Sequence, residues 1–425
     1  MTTNQWILIA IGAAVSLLIG LIIVNFASIG MRVREKLQHE YALRDPQFLR
    51  TMESMLGPRM AQGNQATALC NGDEIFPAML EAIRGAKRSV TFETFIYWSA
   101  QIGEEFATAL AERARIGVKV HVLLDWLGSN KIDKKYVATM EQAGVEVKRY
   151  RPLRWYNASR LNKRTHRKLL VVDGRTGFTG GVGIAAEWTG NAQDPKHWRD
   201  SHFRVVGPVV SQLQGAFVSH WTQTTGEVLH GADYFPALEA AGTEAAHMFT
   251  SSPRGGGDSM ELMYLVAITA AEKSIYLSAA YFVPDALAQA TLEDARGRGV
   301  LVQIIAPGKH TDQQIVRLAS RSRWGNLLKA GVEIFEYQPT MYHCKVMIVD
   351  EIFVSVGSTN FDPRSFGLND EANLNIYDAD FAKRQLGQFR QDMEKSRQIT
   401  YEQWEKRPLG EKFCERVASL LGRAL

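Results

Sequence analysis

One short motif occurs twice in this chain. From His166 it reads HRKLLVVD and from His343 it reads HCKVMIVD, so both copies fit the pattern H-x-K-x4-D. In each copy a glycine follows fourteen residues after the histidine, Gly180 in the first and Gly357 in the second. Two copies in matching context, 177 residues apart, predict one site built from two halves of the molecule.

The sequence around the motif is duplicated as well. Three segments match in the same order, residues 88–97 with 273–282, 117–125 with 299–307, and 143–150 with 330–337. Each half reads as β-α-β-α-β-β, with short β-branched runs typical of buried strands. This alternation predicts an α/β fold, in which two similar α/β/α halves with mixed, largely parallel sheets pack as a pseudo-dimer.

The pattern also predicts individual elements and domain bounds. We expect strands at 169–172, 205–207, 346–349 and 375–377, and helices at 102–115 and 286–298. The expected domains are an anchor at 1–30, a juxtamembrane helix and linker at 31–65, the first half at 66–245, the second half at 246–400, and a C-terminal helix at 401–425. The amphipathic pattern at 409–425 suits a helix packed on the protein surface or one lying on a membrane.

An uncharged apolar stretch at residues 6–29 precedes Arg32, Arg34 and Lys36. Its length is sufficient to span about 30 Å of hydrocarbon. The basic residues that follow it predict that everything after residue 30 lies in the cytoplasm. A cleaved signal peptide is the rival interpretation, but the stretch lacks a basic segment before it. We therefore expect a single-pass transmembrane helix.

Charge and cysteine content exclude several classes of site. The net charge of +4 does not indicate nucleic acid binding, but residues 149–168 contain eight lysines and arginines and no acid, with Trp155 and Tyr156 among them. This run is either a solvated loop or a surface that attracts phosphates or anionic lipid. The three cysteines are widely spaced and fit neither a disulfide framework nor a zinc site, and Cys344 reads as a strand residue rather than a nucleophile.

The residue types of the motif suit phosphoryl chemistry. Residues two apart in a strand face the same side, so His166 projects with Lys168 and His343 with Lys345 if the predicted strands include them. Lysine is a point charge suited to phosphate oxygens, and an imidazole can attack phosphorus or transfer a proton to an oxygen. Two histidines on opposite sides of one phosphodiester can divide these tasks through a phosphohistidine. No metal or other cofactor is required.

The two motifs resemble the paired HKD motifs of the phospholipase D superfamily. Four segments are similar to bacterial cardiolipin synthases: THRKLLVVDG at 165–174, GFTGG at 177–181, WRD at 198–200 and YFVPD at 281–285. The resemblance covers most of residues 70–400. It implies an enzyme of the bacterial inner membrane that acts on anionic phospholipids, with phosphatidylglycerol as the expected substrate and no nucleic acid partner.

The resemblance also implies roles for particular residues. It implies that His166 is the nucleophile and that His343 is the general acid and base, although the similarity of the halves allows the reverse order. Lys168 and Lys345 would bind phosphate. Asp173 and Asp350 would be structural. An acid downstream of each motif orients the histidine of the other half, so we pair Asp200 with His343 and Glu371 with His166. Such a carboxylate fixes the imidazole tautomer.

The Gly-rich segments are expected to bind the phosphate. Ser358 and Asn360 match the G-S-x-N pattern of the superfamily, whose hydroxyl and amide can donate to phosphate oxygens. In the first half Gly181 stands at the serine position and Gly183 at the asparagine position, so backbone amides from Gly180 onward would have to compensate. At the ends of the first strands, the aromatic residues Tyr97, Tyr281 and Phe282 suit core packing, and Glu93 could face a glycerol hydroxyl.

These features predict a membrane-anchored phospholipase D-type transphosphatidylase, namely a cardiolipin synthase that works through a phosphohistidine. A phospholipase D that hydrolyses lipid or exchanges its headgroup would use the same motifs. A nuclease of the superfamily and a non-catalytic lipid-binding protein are further alternatives. The motifs leave the acceptor and the oligomeric state open.

Overall fold

The computed structural model describes residues 2–26, 33, 35–153, 162–253 and 259–420. Some expectations fall outside this part of the chain, namely those on residues 154–161 of the basic run, which include Trp155 and Tyr156, on residues 1 and 27–30 of the expected anchor, on Arg32 and Arg34 after it, and on the last five residues of the C-terminal helix.

Two helices precede the first strand, α1 at Thr3–Phe26 and α2 at Pro46–Leu56. The Asp45 side chain caps α2, and α2 buries Phe48 and Met52 in the core of the second half. Within the described residues, no helix combines the length and the apolarity that spanning a membrane requires.

The first half begins at β1, whose first residues lie in the segment that we expected to be a linker. Its elements are β1 (Ala61–Cys70), α3 (Asn71–Gly85), β2 (Ser89–Thr94), α4 (Gln101–Arg115), β3 (Lys119–Asp125), α5 (Lys134–Gln142), β4 (Glu146–Tyr150), β5 (Leu169–Val172), β6 (Thr176–Gly180), β7 (Ser201–Val206) and α6 (Val210–Thr225), with a short 3₁₀ helix at Ala186–Trp188. The strand expected at 205–207 is the end of the longer strand β7.

The second half repeats this order from β8 onward, with additional helices between some of its strands. Its elements are β8 (Glu244–Ser251), α7 (Ser259–Thr269), β9 (Ser274–Ala279), α8 (Ala286–Gly297), β10 (Leu301–Pro307), α9 (Gln314–Ser322), α10 (Trp324–Lys329), β11 (Glu333–Tyr337), β12 (Lys345–Val349), β13 (Phe353–Gly357), α11 (Pro363–Gly367), β14 (Glu371–Tyr377), α12 (Ala379–Glu394) and β15 (Ser396–Ile399), followed by α13 (Tyr401–Glu405) and α14 (Leu409–Leu420).

The strands of the described chain lie in one sheet, in the order β15-β11-β10-β9-β12-β13-β14-β8-β1-β7-β6-β5-β2-β3-β4. β1 and β8 pair at its centre, so the two halves join edge to edge. Among these strands only β2-β3-β4 and β9-β10-β11 run parallel, so the expectation of largely parallel sheets is wrong. The reason is that β5 and β6, like β12 and β13, are joined by turns too short for the crossover that parallel pairing requires.

The core fixes the two halves relative to each other. Helices α3, α4 and α5 cover one face of the first half of the sheet, and α7, α8 and α10 cover the matching face of the second half. On the opposite face, α6 and α12 lie over a core that spans both halves. Because this core is shared, the loops at the junction of the halves are held at fixed positions.

Candidate active site

Both motif histidines line one pocket of about 690 Å³ at the junction of the halves. His166 and Lys168 immediately precede β5, and His343 precedes Lys345, the first residue of β12. The two strands are equivalent in the duplicated fold, so each half brings one copy of the motif to the pocket. The structure thus brings together the residues that the repeat predicted to share one site.

Each histidine contacts a carboxylate of the opposite half. His166 Nδ1 lies 3.0 Å from both carboxylate oxygens of Glu371, and His343 Nδ1 lies 2.6 Å from Asp200 Oδ2. The peptide N–H of each histidine also donates to the carbonyl of the residue before that acid, at 2.8 Å in both halves. Both acids are fully buried. The geometry matches the crossed pairing expected from the resemblance.

Burial and pairing set the protonation of these groups. Burial lowers the pKa of His166 to about 4, against the attraction of Glu371, and it lowers the pKa of His343 as well. Burial opposes ionisation of the two acids, but the histidines, the motif lysines and hydrogen bonds from serine residues together outweigh it, so the pKa values of Asp200 and Glu371 lie below the ordinary range. At neutral pH the neutral His166 imidazole donates its Nδ1 proton to the ionised Glu371 carboxylate, which leaves a lone pair on His166 Nε2.

The two motif lysines are buried beside the histidines. Lys168 Nζ donates to the His166 carbonyl at 2.7 Å, and Lys345 Nζ donates to the His343 carbonyl at 2.8 Å. Burial and repulsion by Lys345 lower the pKa of Lys168 to about 7, and burial lowers the pKa of Lys345 too. An anion placed between the lysines would relieve this repulsion, so the arrangement is suited to a phosphate.

The motif aspartates lie at the far ends of β5 and β12 from the histidines. Asp173 and Asp350 adopt left-handed conformations, with φ of 54° and 50°. The Asp173 carboxylate accepts hydrogen bonds from the backbone N–H groups of residues 87–89, and that of Asp350 from those of residues 272–274. Each aspartate ties the end of a motif strand to the start of its neighbour, which is the kind of contact that a structural residue makes.

The Gly-rich segments of the two halves differ. Ser358 Oγ donates to Glu371 Oε2 at 2.5 Å, so its hydroxyl supports the carboxylate. Asn360 lines the pocket, and its Oδ1 has no hydrogen-bond partner among the described residues. Gly180 ends β6, and a side chain at the next residue, Gly181, would overlap the carboxylate that pairs with the second histidine.

Sequence reasoning missed the contribution of Trp188. Its Nε1 donates to Asp200 Oδ2 at 2.8 Å, and its ring lies edge-on to His343 at 5.3 Å between centroids. The Trp198 ring lies 5.4 Å from the same imidazole. Trp198 belongs to the WRD segment that carried part of the resemblance, whereas no pattern around Trp188 signals its contact with the acid.

Some residues near the strand ends lie elsewhere than expected. Glu93 accepts a hydrogen bond from Thr165 Oγ1 at 2.6 Å and contacts His220 Nδ1 at 2.7 Å, so it supports the first motif from behind rather than facing a glycerol. Tyr97 and Phe282, in contrast, are core residues as the sequence predicted. Tyr281 lines the pocket, and its hydroxyl donates to Asp312 Oδ2 at 2.5 Å.

The described part of the basic run is largely paired inside the protein. Arg151 Nη1 lies 2.8 Å from Asp370 Oδ2, and Arg164 Nη1 lies 3.6 Å from Asp125 Oδ1. Arg167 donates to backbone carbonyls and is buried. Arg164 also lines the pocket. The run is therefore not a solvated loop in this part, and one of its cations forms part of the site wall.

Comparison with known proteins agrees with the geometry. The family model described as "Cardiolipin synthase, PLD-like domain" matches residues 79–221 and 264–393. The chain is 35% identical to the cardiolipin synthase of Geobacillus kaustophilus, over 85% of this chain and 72% of that protein. It is also 35% identical to the major cardiolipin synthase ClsA of Bacillus subtilis, over 86% of this chain and 76% of that protein.

Among solved structures, a phosphatidylserine synthase of Haemophilus influenzae has a similar fold. The TM-score is 0.66 at 14% sequence identity, and the match covers 90% of this chain and all of the other. At this identity the likeness concerns the fold alone. The sequence matches decide the assignment, because they extend through both motifs: the chain belongs to the cardiolipin synthase family of phospholipase D-like proteins.

Proposed function

We propose that this protein is a cardiolipin synthase, which transfers the phosphatidyl group of one phosphatidylglycerol to the glycerol hydroxyl of a second phospholipid. The crossed pairing of the histidines carries this proposal. His166 and His343 both line one pocket. Each imidazole is oriented by an acid from the other half of the molecule, His166 by Glu371 and His343 by Asp200. Two oriented imidazoles on one pocket are what a two-step displacement at phosphorus requires.

In the first step His166 is the nucleophile. Its Nε2 lone pair attacks phosphorus and forms an N–P bond, while the P–O bond to the departing glycerol breaks. His343, in its protonated form, gives a proton to the glycerol oxygen. The ionised Glu371 stabilises the positive charge that develops on the attacking imidazole.

In the second step the intermediate passes its phosphatidyl group to the acceptor. His343 now takes the proton of the acceptor hydroxyl, whose oxygen attacks phosphorus, and the N–P bond breaks to restore His166. Lys168 and Lys345 stabilise the charge on the equatorial oxygens in both steps. Ser358 keeps Glu371 in position, and the free Oδ1 of Asn360 faces the same pocket.

We further propose that the protein is anchored in the bacterial inner membrane by a single pass, with the catalytic body in the cytoplasm. Large apolar side chains of α1 are exposed, namely Trp6, Ile7, Ile9, Ile11, Val15, Leu17 and Ile19. Transfer of such side chains from water to hydrocarbon is favourable. Extraction of membranes with alkaline carbonate should leave the full chain in the pellet and release a chain that lacks residues 2–31. Release of the full chain would argue against the anchor.

The central experiment is a product assay on the purified full-length protein with phosphatidylglycerol as the only lipid. Cardiolipin and free glycerol in equal amounts are expected. Phosphatidic acid with no cardiolipin would instead identify a hydrolase. The double variant His166→Ala, His343→Ala controls for contaminating activity and should form neither product.

A further inference from the structure

The duplicated fold places two oppositely charged residues at equivalent positions of the pocket. Tyr97 bridges Ile184 in the first half, and Phe282 bridges Phe361 in the second, so these two bridges correspond. Three residues after each bridge comes a charged side chain that lines the pocket, a glutamate at 187 and an arginine at 364. The chemistry of the two halves is therefore unequal at this point.

Within the described part of the chain, Arg364 is a cation without a counterion in contact. It lies in α11, is partly buried, and has no hydrogen-bonding or ion-pairing side chain among the residues that the structure describes. Burial lowers its pKa, and the nearby Asp362 carboxyl opposes this shift. Asp362 instead accepts a hydrogen bond from Ser365 N at 2.7 Å. A partly buried guanidinium in this state is suited to an anionic ligand.

The other cations of the pocket already have partners or lie at its rim. Lys168 contacts the first motif histidine, where the reacting phosphate binds in the proposed mechanism. Arg164 is paired with Asp125 and donates to backbone carbonyls. Lys131 is exposed and lies over the Trp98 ring at 4.1 Å. Arg364 thus remains as a partly buried cation available for a second anion.

We propose that Arg364 binds the phosphate of the acceptor phospholipid, and that Glu187 excludes a second anion from the equivalent position on the other side. This inference rests on the proposed function. An acceptor phospholipid attacks through a glycerol hydroxyl, so its own phosphate lies one glycerol away from the reacting phosphorus and needs a separate cation. Water and simple alcohols have no such phosphate. Arg364 therefore favours a phospholipid acceptor over water or an alcohol. Glu187 repels an anion at the equivalent position, so the acceptor phosphate binds on one side of the pocket only.

A partition experiment tests this proposal. Labelled phosphatidylglycerol is incubated with the full-length enzyme and ethanol, and the ratio of cardiolipin to phosphatidylethanol is measured. Both products arise from the same phosphohistidine, so the ratio reports acceptor selection and not the rate of the first step. Arg364→Gln should lower the ratio about tenfold or more, since it removes a charged hydrogen-bond donor. Phosphatidylethanol should still form, because neither formation of the phosphohistidine nor attack by ethanol involves an acceptor phosphate.

Two further variants complete the test. Arg364→Lys keeps the charge but cannot form the bidentate hydrogen bonds of a guanidinium, so it should give an intermediate ratio of cardiolipin to phosphatidylethanol. Glu187→Gln, the matched change on the other side, should leave the ratio unchanged or raise it. The proposal is overturned if Arg364→Gln leaves the ratio unchanged, or if both arginine variants lose the two products in parallel. If the unmodified enzyme forms phosphatidylethanol but no cardiolipin, the proposed function itself fails, which is a distinct result.

Discussion

The backbone at Gly181 lies directly against the Asp200 carboxylate. A Cβ at position 181 would lie 2.6 Å from Asp200 Oδ2 and still closer to Oδ1. At the equivalent position of the other half, Ser358 donates to Glu371. Asp200 therefore packs against a glycine and accepts its hydrogen bond from Trp188. Glu371, whose side chain is longer, accepts a hydrogen bond from the serine. The two halves therefore position the carboxylates that orient their histidines through different contacts.

This relationship predicts the effect of introducing a serine at position 181 of the first half. Gly181→Ser should displace the Asp200 carboxylate and disorient His343, so kcat should fall roughly 10²-fold, as expected for a misplaced catalytic group. Rates of cardiolipin formation and circular dichroism measure activity and folding. Gly215→Ser is a matched control, because a Cβ at that glycine meets nothing within 4 Å. Activity close to that of the unmodified enzyme in Gly181→Ser would show that the close packing is unimportant.

The separate roles of the histidines predict different responses to a good leaving group. A p-nitrophenyl ester of phosphatidic acid releases p-nitrophenolate, which needs no proton. His343→Ala and Asp200→Asn should therefore still release about one equivalent per site in a burst, within roughly tenfold of the normal rate. His166→Ala and Glu371→Gln should lose the burst by about 10²-fold or more, because they remove or disorient the nucleophile.

The same four variants decide the order of the two histidines. The duplicated sequence alone allows either histidine to attack, and the assignment of His166 as nucleophile follows the family. A burst that survives in the His166 and Glu371 variants, and is lost in the other two, would reverse the assignment. Equal loss in all four would mean that the roles are not divided between the halves.

The sequence predicted the parts of this site that depend on local pattern. The spacing of His166 and His343 to the following glycines indicated two equivalent strands, and the family resemblance supplied the crossed acids. The contact of Trp188 with Asp200 was not predictable, because it depends on how the chain between β6 and β7 folds back. β1 was missed since its sequence, AQGNQATALC, lacks the apolar β-branched run that marks the other strands.

Protonation of His166 predicts the acid limb of the pH profile. Burial lowers the pKa of His166 to about 4, so the nucleophile stays neutral down to low pH, and kcat/KM should fall only well below pH 6.5. Lys168 lowers this pKa and Glu371 raises it. Lys168→Met should therefore move the limb to higher pH, and Glu371→Gln to lower pH. Profiles of kcat/KM between about pH 3 and pH 8 provide the check, and shifts of both variants in the same direction would contradict this account.

Asp362 predicts a pH-dependent change in stability. Burial raises the pKa of this carboxyl to about 7, whereas in the unfolded chain it is about 3.9. The folded state holds the proton more tightly, so the free energy of unfolding falls as the pH rises from about 4 to about 7. Asp362→Asn removes this loss and keeps the cap on α11, because asparagine caps about as well as aspartate. The variant should gain on the order of 1–3 kcal/mol at pH 8 and little at pH 4.

Thermal unfolding of Asp362→Asn at the two pH values measures this gain. The Tm should rise above that of the unmodified protein at pH 8, while the two proteins should melt together at pH 4. Asp378→Asn is the matched control, because Asp378 caps α12 by the same kind of hydrogen bond from a position that is only partly buried. Its carboxylate stays in contact with water, so its replacement should bring no selective gain at pH 8. An increase in Tm of equal size at both pH values would mean that Asp362→Asn acts through the cap or through packing and not through the buried proton.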